Sequence, residues 1–364
     1  MILYDYIKED SEFKIAPLCL KDKISDDSLL AFSLSFKSPH KSTSEVSDVV
    51  YAELFFKKEF FSKMPASESP KNKDLPMDYL KDYKKDIPIL FFLHGFSTKN
   101  DKLKNYYKFI ENILELDMAC LFINLPFHLN RKPVNETSGS RIIYFDDADT
   151  LLFFHQCVVD VRKAVDIIEK IISPKEINIC GISLGSIVSV ISMAVDKRIN
   201  KGILLVGGGS WEEIHWKGIS RFILKGNCAG VETISRNKCG IFYSNFPKFL
   251  EKAKSLNSDN FLIEINDNEN LQKLCTKKCY LCDPLLFAGK IDSRKVLMLN
   301  SRLDHYFSKK SSVMLWEELG RPEIHWFNYL HFSRILNKKL ILKNIAIFLK
   351  RSRAEKSDCL AHGN

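Results

Sequence analysis

Ile177-Asn178-Ile179-Cys180-Gly181-Ile182-Ser183-Leu184-Gly185-Ser186 is an apolar run that breaks into Gly-x-Ser-x-Gly and continues as Ile187-Val188-Ser189-Val190-Ile191. The pattern predicts a strand, a sharp turn carrying a serine, and a helix. A serine on such a turn sits in a strained backbone conformation, so the residues two before and two after it must be small enough to let strand and helix approach. Gly181 and Gly185 meet that demand. Glycine supplies only 15 of 364 residues, so two glycines flank a given serine at these offsets with a chance on the order of 0.002. Ser183 is therefore a candidate nucleophile; the competing reading is a plain turn with a surface serine.

Upstream, Ile87-Pro88-Ile89-Leu90-Phe91-Phe92-Leu93-His94-Gly95-Phe96 reads as an apolar strand ending in His-Gly-Phe, with Pro88 tolerable at its start. Gly95 is expected to let the backbone turn so that the next N–H points away from the strand ladder. The N–H groups of Phe96 and Leu184 are then candidates to bind a developing oxyanion. Downstream, Arg294 to Asn300 reads as a buried strand, and Ser301-Arg302-Leu303-Asp304 puts an acid just past its C-terminal end, the edge where functional groups collect in open α/β sheets. A short strand, Glu323 to Phe327, leads to His331, which opens an amphipathic helix from Phe332 to Lys350. The chain order is Ser183, Asp304, His331, with 331 − 304 = 27 residues between acid and histidine, room for one helix and one strand.

On these motifs the chain resembles the α/β-hydrolase superfamily from about Ala31 to about Lys350, and within it the esterase and dienelactone-hydrolase-like branches. Gln156 to Asp166 is similar to the helix before the nucleophile strand, and Asp283-Pro284-Leu285-Leu286 to the lead-in to the acid strand. The acid loop lacks the glycine often found there. The resemblance implies an α/β-hydrolase fold, a mainly parallel central sheet with helices on both faces and a cap insertion. It implies ester hydrolysis through an acyl-enzyme by Ser183, His331 and Asp304, with Phe96 and Leu184 as the oxyanion hole and no cofactor. Acyl transfer, thioester or amide cleavage on the same triad, and an inactive binding protein of this fold, remain open alternatives.

The organisation follows. Residues 1–86 form an N-terminal extension, polar and without a period up to about residue 30, then an antiparallel strand pair, Ala31 to Lys37 and Val49 to Lys57, and a surface loop from Met64 to Asp86. Residues 87–210 are the first part of the core, 211–281 the insertion, 282–351 the second part, and 352–364 a basic tail. The insertion contains helical pieces at Trp216 to Leu224 and Phe246 to Leu256, with aromatics suited to an acyl pocket or to a core of its own. Cys275, Cys279 and Cys282 have a spacing compatible with zinc, Cys228 or Cys239 supplying a fourth ligand, although a plain set of thiols is expected and no metal is assigned. His128 and Arg131, after the strand Ala119 to Asn124, are read as backbone anchors, with a rival base or carboxylate binder as the sharper alternative. His325 and His305 are weaker rivals to His331.

With 45% hydrophobic and 27% charged residues, the chain can bury a substantial core. Its formal charge of +9 comes from 54 basic residues spread among 45 acids, the pattern of a solvated surface and not of a nucleic-acid binder. The densest basic cluster, Lys350 to Lys356, invites peripheral contact with anionic lipid, the less favoured reading beside a disordered tail. With neither a long apolar run nor a leader pattern, and with ten cysteines, some of them in apolar strands, the expected setting is the cytoplasm. The expected partner is a small-molecule or lipid ester; nothing fixes the oligomeric state.

Overall fold

The computed structural model describes residues 2–8, 12–19, 28–62, 80, 82–224, 228–256, 261–330 and 333–351. Among these, nine strands make one sheet: β1 (Phe13–Pro17), β2 (Leu29–Lys37), β3 (Val49–Lys57), β4 (Ile89–Leu93), β5 (Ala119–Ile123), β6 (Ile177–Ile182), β7 (Ile199–Leu205), β8 (Val296–Ser301) and β9 (Glu323–Phe327), in the order β1-β2-β3-β5-β4-β6-β7-β8-β9. The first three strands and β5 pair antiparallel; from β5 through β9 every pairing is parallel. Strands β4, β5 and β6 are buried at every position. Helices cover both faces of such strands, which is why their sequences are continuous apolar runs and not alternating ones.

The helices between these strands are α1 (Asn100–Leu114), α2 (Asp147–Ile171) and α3 (Leu184–Val195). Asp146 caps α2 by accepting the Asp149 N–H at 2.8 Å, and Asp147 and Asp149 add negative charge to its first turn, where the helix dipole favours it. After β7 come the short helices α4 (Trp211–Lys217), α5 (Ser220–Ile223), α6 (Arg236–Tyr243), α7 (Phe246–Lys254), α8 (Phe261–Asp267) and α9 (Glu269–Gln272), then α10 (Pro284–Ala288), which precedes β8. Helices α11 (Lys309–Glu318) and α12 (Lys339–Lys350) complete the second part.

Several expectations are corrected. The N-terminal extension carries a strand, β1, paired with β2 from Phe13↔Phe36 to Pro17↔Phe32. Before it, Tyr4 is fully buried, its N–H donating to His155 Nδ1 at 2.8 Å and its hydroxyl to the Leu281 carbonyl at 2.9 Å. The stretch expected to be a surface loop, Met64 to Asp86, falls largely outside the described residues, but Tyr83 within it is buried and packs on Phe56 and Phe61. The helix expected over Phe332 to Lys350 is a 3-10 turn, Ser333–Asn337, then α12. Lys338 between them is extended, and Asn337 is held to α1 by the Asn105 carbonyl and the Asn112 amide. The piece expected at Trp216 to Leu224 starts earlier and breaks at Gly218 into α4 and α5. The tail after Arg351 lies outside the described residues. No helix among the described residues is long and apolar enough to cross a membrane.

Candidate active site

Ser183 sits between β6 and α3 with φ 57° and ψ −114°, a conformation that costs a non-glycine residue roughly 1–3 kcal/mol. Its neighbours hold it there. The Ser183 N–H donates to the Leu205 carbonyl on β7 at 2.9 Å, and its carbonyl accepts the Ser186 hydroxyl at 2.6 Å. A Cβ on Gly181 would lie 2.1 Å from the Gly185 carbonyl oxygen, and one on Gly185 would lie 2.3 Å from that of Leu93. These approaches are backbone on backbone, so only glycine fits.

The loop after β4 packs directly on this turn. Gly95 does not have the positive φ that a left-handed turn would need, and a Cβ there would meet Ser183 Cβ at 3.4 Å and the Ile182 carbonyl oxygen at 3.5 Å, ordinary van der Waals contact. The turning residue is Ser97, at φ 51°. Leu184 is the first residue of α3, where a helix leaves its N–H groups without intrahelical acceptors. Phe96, Ser183 and Leu184 face one cavity.

Two buried histidines brace the loop. His94 Nδ1–H donates to the Gly95 carbonyl at 2.9 Å, while Nε2 accepts the Leu125 N–H at 3.0 Å. His128 Nδ1–H donates to the Pro126 carbonyl at 2.8 Å, and its Nε2 accepts the Ser97 N–H at 3.3 Å. Burial drives both below the ordinary histidine range, His128 down to about 4, so both are neutral at pH 7 and neither is placed as a rival base. Arg131 is likewise an anchor. Fully buried, it donates to the Ser47 and Asn124 carbonyls and pairs with Asp160 at 2.7 Å.

Asp304 lies three residues past β8. Its Oδ1 accepts the N–H groups of Tyr306 at 2.7 Å and Phe307 at 2.9 Å, and those two residues line the same cavity as Ser183. His331 lies outside the described residues. His325 is on β9, bound to Glu323 at 2.7 Å, and the exposed His305 serves the fold through its carbonyl, which accepts the Ile219 N–H.

The cavity over Ser183 measures about 160 Å³. Phe96, Phe154, Leu184 and Ile187 line it from the core, and Trp211, Ile214, Trp216, Ile223 and Leu224 from the insertion, with Trp211 packed on Phe154. The insertion is tied down at three acids. Asp283 is fully buried and accepts N–H groups from Ser210, Trp211 and Leu285 and the Tyr243 hydroxyl, so one carboxylate clamps both ends of the insertion. Burial pushes it up to about 6, although all four hydrogen bonds favour the charged form. Asp147, at the start of α2, accepts the Ala229 and Lys278 N–H groups, each at 2.7 Å. Glu213 on α4 receives Lys310 at 2.9 Å and Ser308 at 3.1 Å.

No family profile matches the chain, and no curated protein matches it in sequence. Solved structures match it in fold. The acetyl xylan esterase from Paenibacillus sp. R4 superposes with a TM-score of 0.52 at 12% identity, over 93% of this chain and 89% of that one. A cold-adapted esterase from an Arctic intertidal metagenomic library gives 0.49 at 13% identity, covering 90% and 96%. Acetyl xylan esterase 1 from Thermoanaerobacterium sp. JW/SL YS485 gives 0.47 at 15%, covering 91% and 89%. The fold is that of the α/β-hydrolases.

Within this α/β-hydrolase fold, Ser183, Phe96 and Leu184 gather at the carboxyl edge of the parallel strands, and the loop of Asp304 reaches the same cavity. The cysteines form no metal cluster: among the described residues no three His, Cys, Asp or Glu side chains are gathered to hold an ion. Cys275 and Cys282 donate to the Lys277 and Cys279 carbonyls, and burial raises both thiols. Asp283, expected only as a lead-in to the acid strand, is the clamp of the insertion. Its one sequence signal is an Asp-Pro that caps α10. A second unforeseen tie joins Asn300, at the end of β8, to both the N–H and the carbonyl of Gly207 after β7.

Proposed function

We propose that this α/β-hydrolase-fold protein cleaves a carboxylic ester through an acyl-enzyme. Ser183 Oγ attacks the carbonyl carbon, His331 takes its proton and returns it to the leaving alcohol, and Asp304 orients the imidazole and stabilises its charged form. The N–H groups of Phe96 and Leu184 bind the oxyanion, about 3 kcal/mol of transition-state stabilisation per donor in comparable sites. Water then attacks the acyl-enzyme by the reverse sequence. The insertion, residues 211–281, acts as a cap. No cofactor takes part, and the partner is a small-molecule ester. We place the protein in the cytoplasm, where the nine cysteines of the described residues, all free thiols, stay reduced.

The observation that carries the proposal is Ser183 itself: a strained serine, held by backbone contacts that admit only glycine, opening into an apolar cavity at the sheet edge. The acetyl xylan esterase of the same fold supports the ester reading. The test is intact-mass spectrometry after exposure to a fluorophosphonate. A single adduct mapping to Ser183, lost in Ser183→Ala, is expected, together with a loss of turnover of at least about a hundredfold in Ser183→Ala and in His331→Ala with the fold retained. No adduct on well-folded protein, or normal turnover in either variant, rejects the assignment.

A further inference from the structure

The cavity over Ser183 carries information about the substrate. Its lining comes from both sides of β6: the insertion residues follow β7, and Tyr306 and Phe307 follow β8. Ile142, Phe145 and Phe154 reach it from the segment after β5, and Phe96 from the loop after β4, whereas Asp304 and the chain leading to His331 follow β8 and β9, on the other side of β6 in the sheet order. Taking Ser183 as the nucleophile and His331 as its base, the reading on which this inference rests, the leaving oxygen must face the base that protonates it. The acyl group then points the other way, towards Phe96, Ile142, Phe145 and Phe154.

We infer that the acyl group is uncharged, apolar and about six carbons in size. A dry apolar cavity of about 150 Å³ accepts benzene, and this one measures about 160 Å³. No lysine or arginine is among its described lining residues. The charged groups present are both acids: Asp146 capping α2, and Asp147 bonded to the Ala229 and Lys278 N–H groups. His215 in the wall is pressed against Trp216 and lowered by burial, so it supplies no cation at neutral pH. The thiols of Cys228, Cys239 and Cys279 in the wall are raised by burial and behave as apolar groups. A carboxylate on the acyl chain would enter this space with no cation to pair it and beside two like charges.

Two measurements test this. The first is kcat/KM for the p-nitrophenyl esters of acetate, butyrate, hexanoate and decanoate, and for mono-p-nitrophenyl glutarate. Values are expected to rise roughly threefold to fourfold per methylene up to hexanoate, as burial of each CH₂ requires, and to level off or fall at decanoate. The glutarate is expected to be at least about a hundredfold poorer than hexanoate. Ile223→Trp, at a half-buried wall position, should lower the hexanoate-to-acetate ratio about tenfold, and Trp216→Ala should move the optimum towards decanoate. The second is quenching of tryptophan fluorescence in Ser183→Ala by hexanamide against glutarate, a binding readout independent of turnover. Ser183-dependent turnover with acetate best, or with glutarate equal to hexanoate, overturns the acyl class while sparing the nucleophile. Hexanamide binding without glutarate binding in a protein that hydrolyses none of the esters does the reverse.

Discussion

A methyl group has nowhere to go beside Ser183: a Cβ on Gly181 or Gly185 would stand 2.1 or 2.3 Å from a backbone oxygen, whereas one on Gly240, in the insertion helix α6, would meet only Glu212 Oε1, at 3.7 Å. The first region is backbone pressed on backbone, each strand buried on both faces. The second is a set of short helices held by side chains, among them Asp147, Asp283 and Glu213. The turn that carries Ser183 is thus fixed where nothing can shift, and the cavity's outer wall sits on elements that can.

The largest effect expected from this contrast is on stability. Gly185→Ala should cost more than about 4 kcal/mol, because the obstacle is main chain on a packed strand, while Gly240→Ala should be neutral or stabilise by up to about 1 kcal/mol as a helix-interior replacement. Urea unfolding of the two variants measures both, and a cost under about 1 kcal/mol for Gly185→Ala would erase the distinction.

Next comes pH. His128, lowered to about 4 by burial, stabilises the fold above its ordinary value and loses that contribution as pH falls from about 6.5 towards 4; His155, lowered to about 3, behaves alike. Asp283, raised to about 6, has the opposite sign: its contribution is complete near pH 4 and is lost as pH rises through about 6. The swings of His128 and Asp283 are each about 3 kcal/mol. Acid destabilisation measured between pH 6.5 and 4 should therefore be shallower in His128→Gln and steeper in Asp283→Asn. Unchanged slopes would show that these groups do not titrate as their burial requires.

The smallest effect is local. Asp147→Ala leaves the N–H groups of Ala229 and Lys278 unmatched, a loss of about 1–3 kcal/mol. Limited proteolysis should then cut within the insertion before the sheet opens, and KM should rise more than kcat falls. Equal loss of both would place Asp147 in the support of Ser183 and not of the wall.

What the sequence made legible follows the same division. β4, β5 and β6 are continuous apolar runs, and the serine turn announces itself by its glycines, because burial on both faces and backbone contact leave little freedom of residue type. His128 and Arg131 were read as anchors, which the structure bears out. Short β1 was not legible, since Phe13-Lys14-Ile15-Ala16-Pro17 is brief, half-buried and ends in proline. The Asp283 clamp joins residues 73 apart and obeys no period.

That clamp has a consequence for how such a protein changes over generations. Entry and exit of the insertion meet on a single carboxylate, so its two ends are closed at one point. Closing a longer or shorter loop at such a point changes the entropy only slowly with length. The segment between those ends can therefore change in length at little cost to closure, and with it the shape of the cavity's wall.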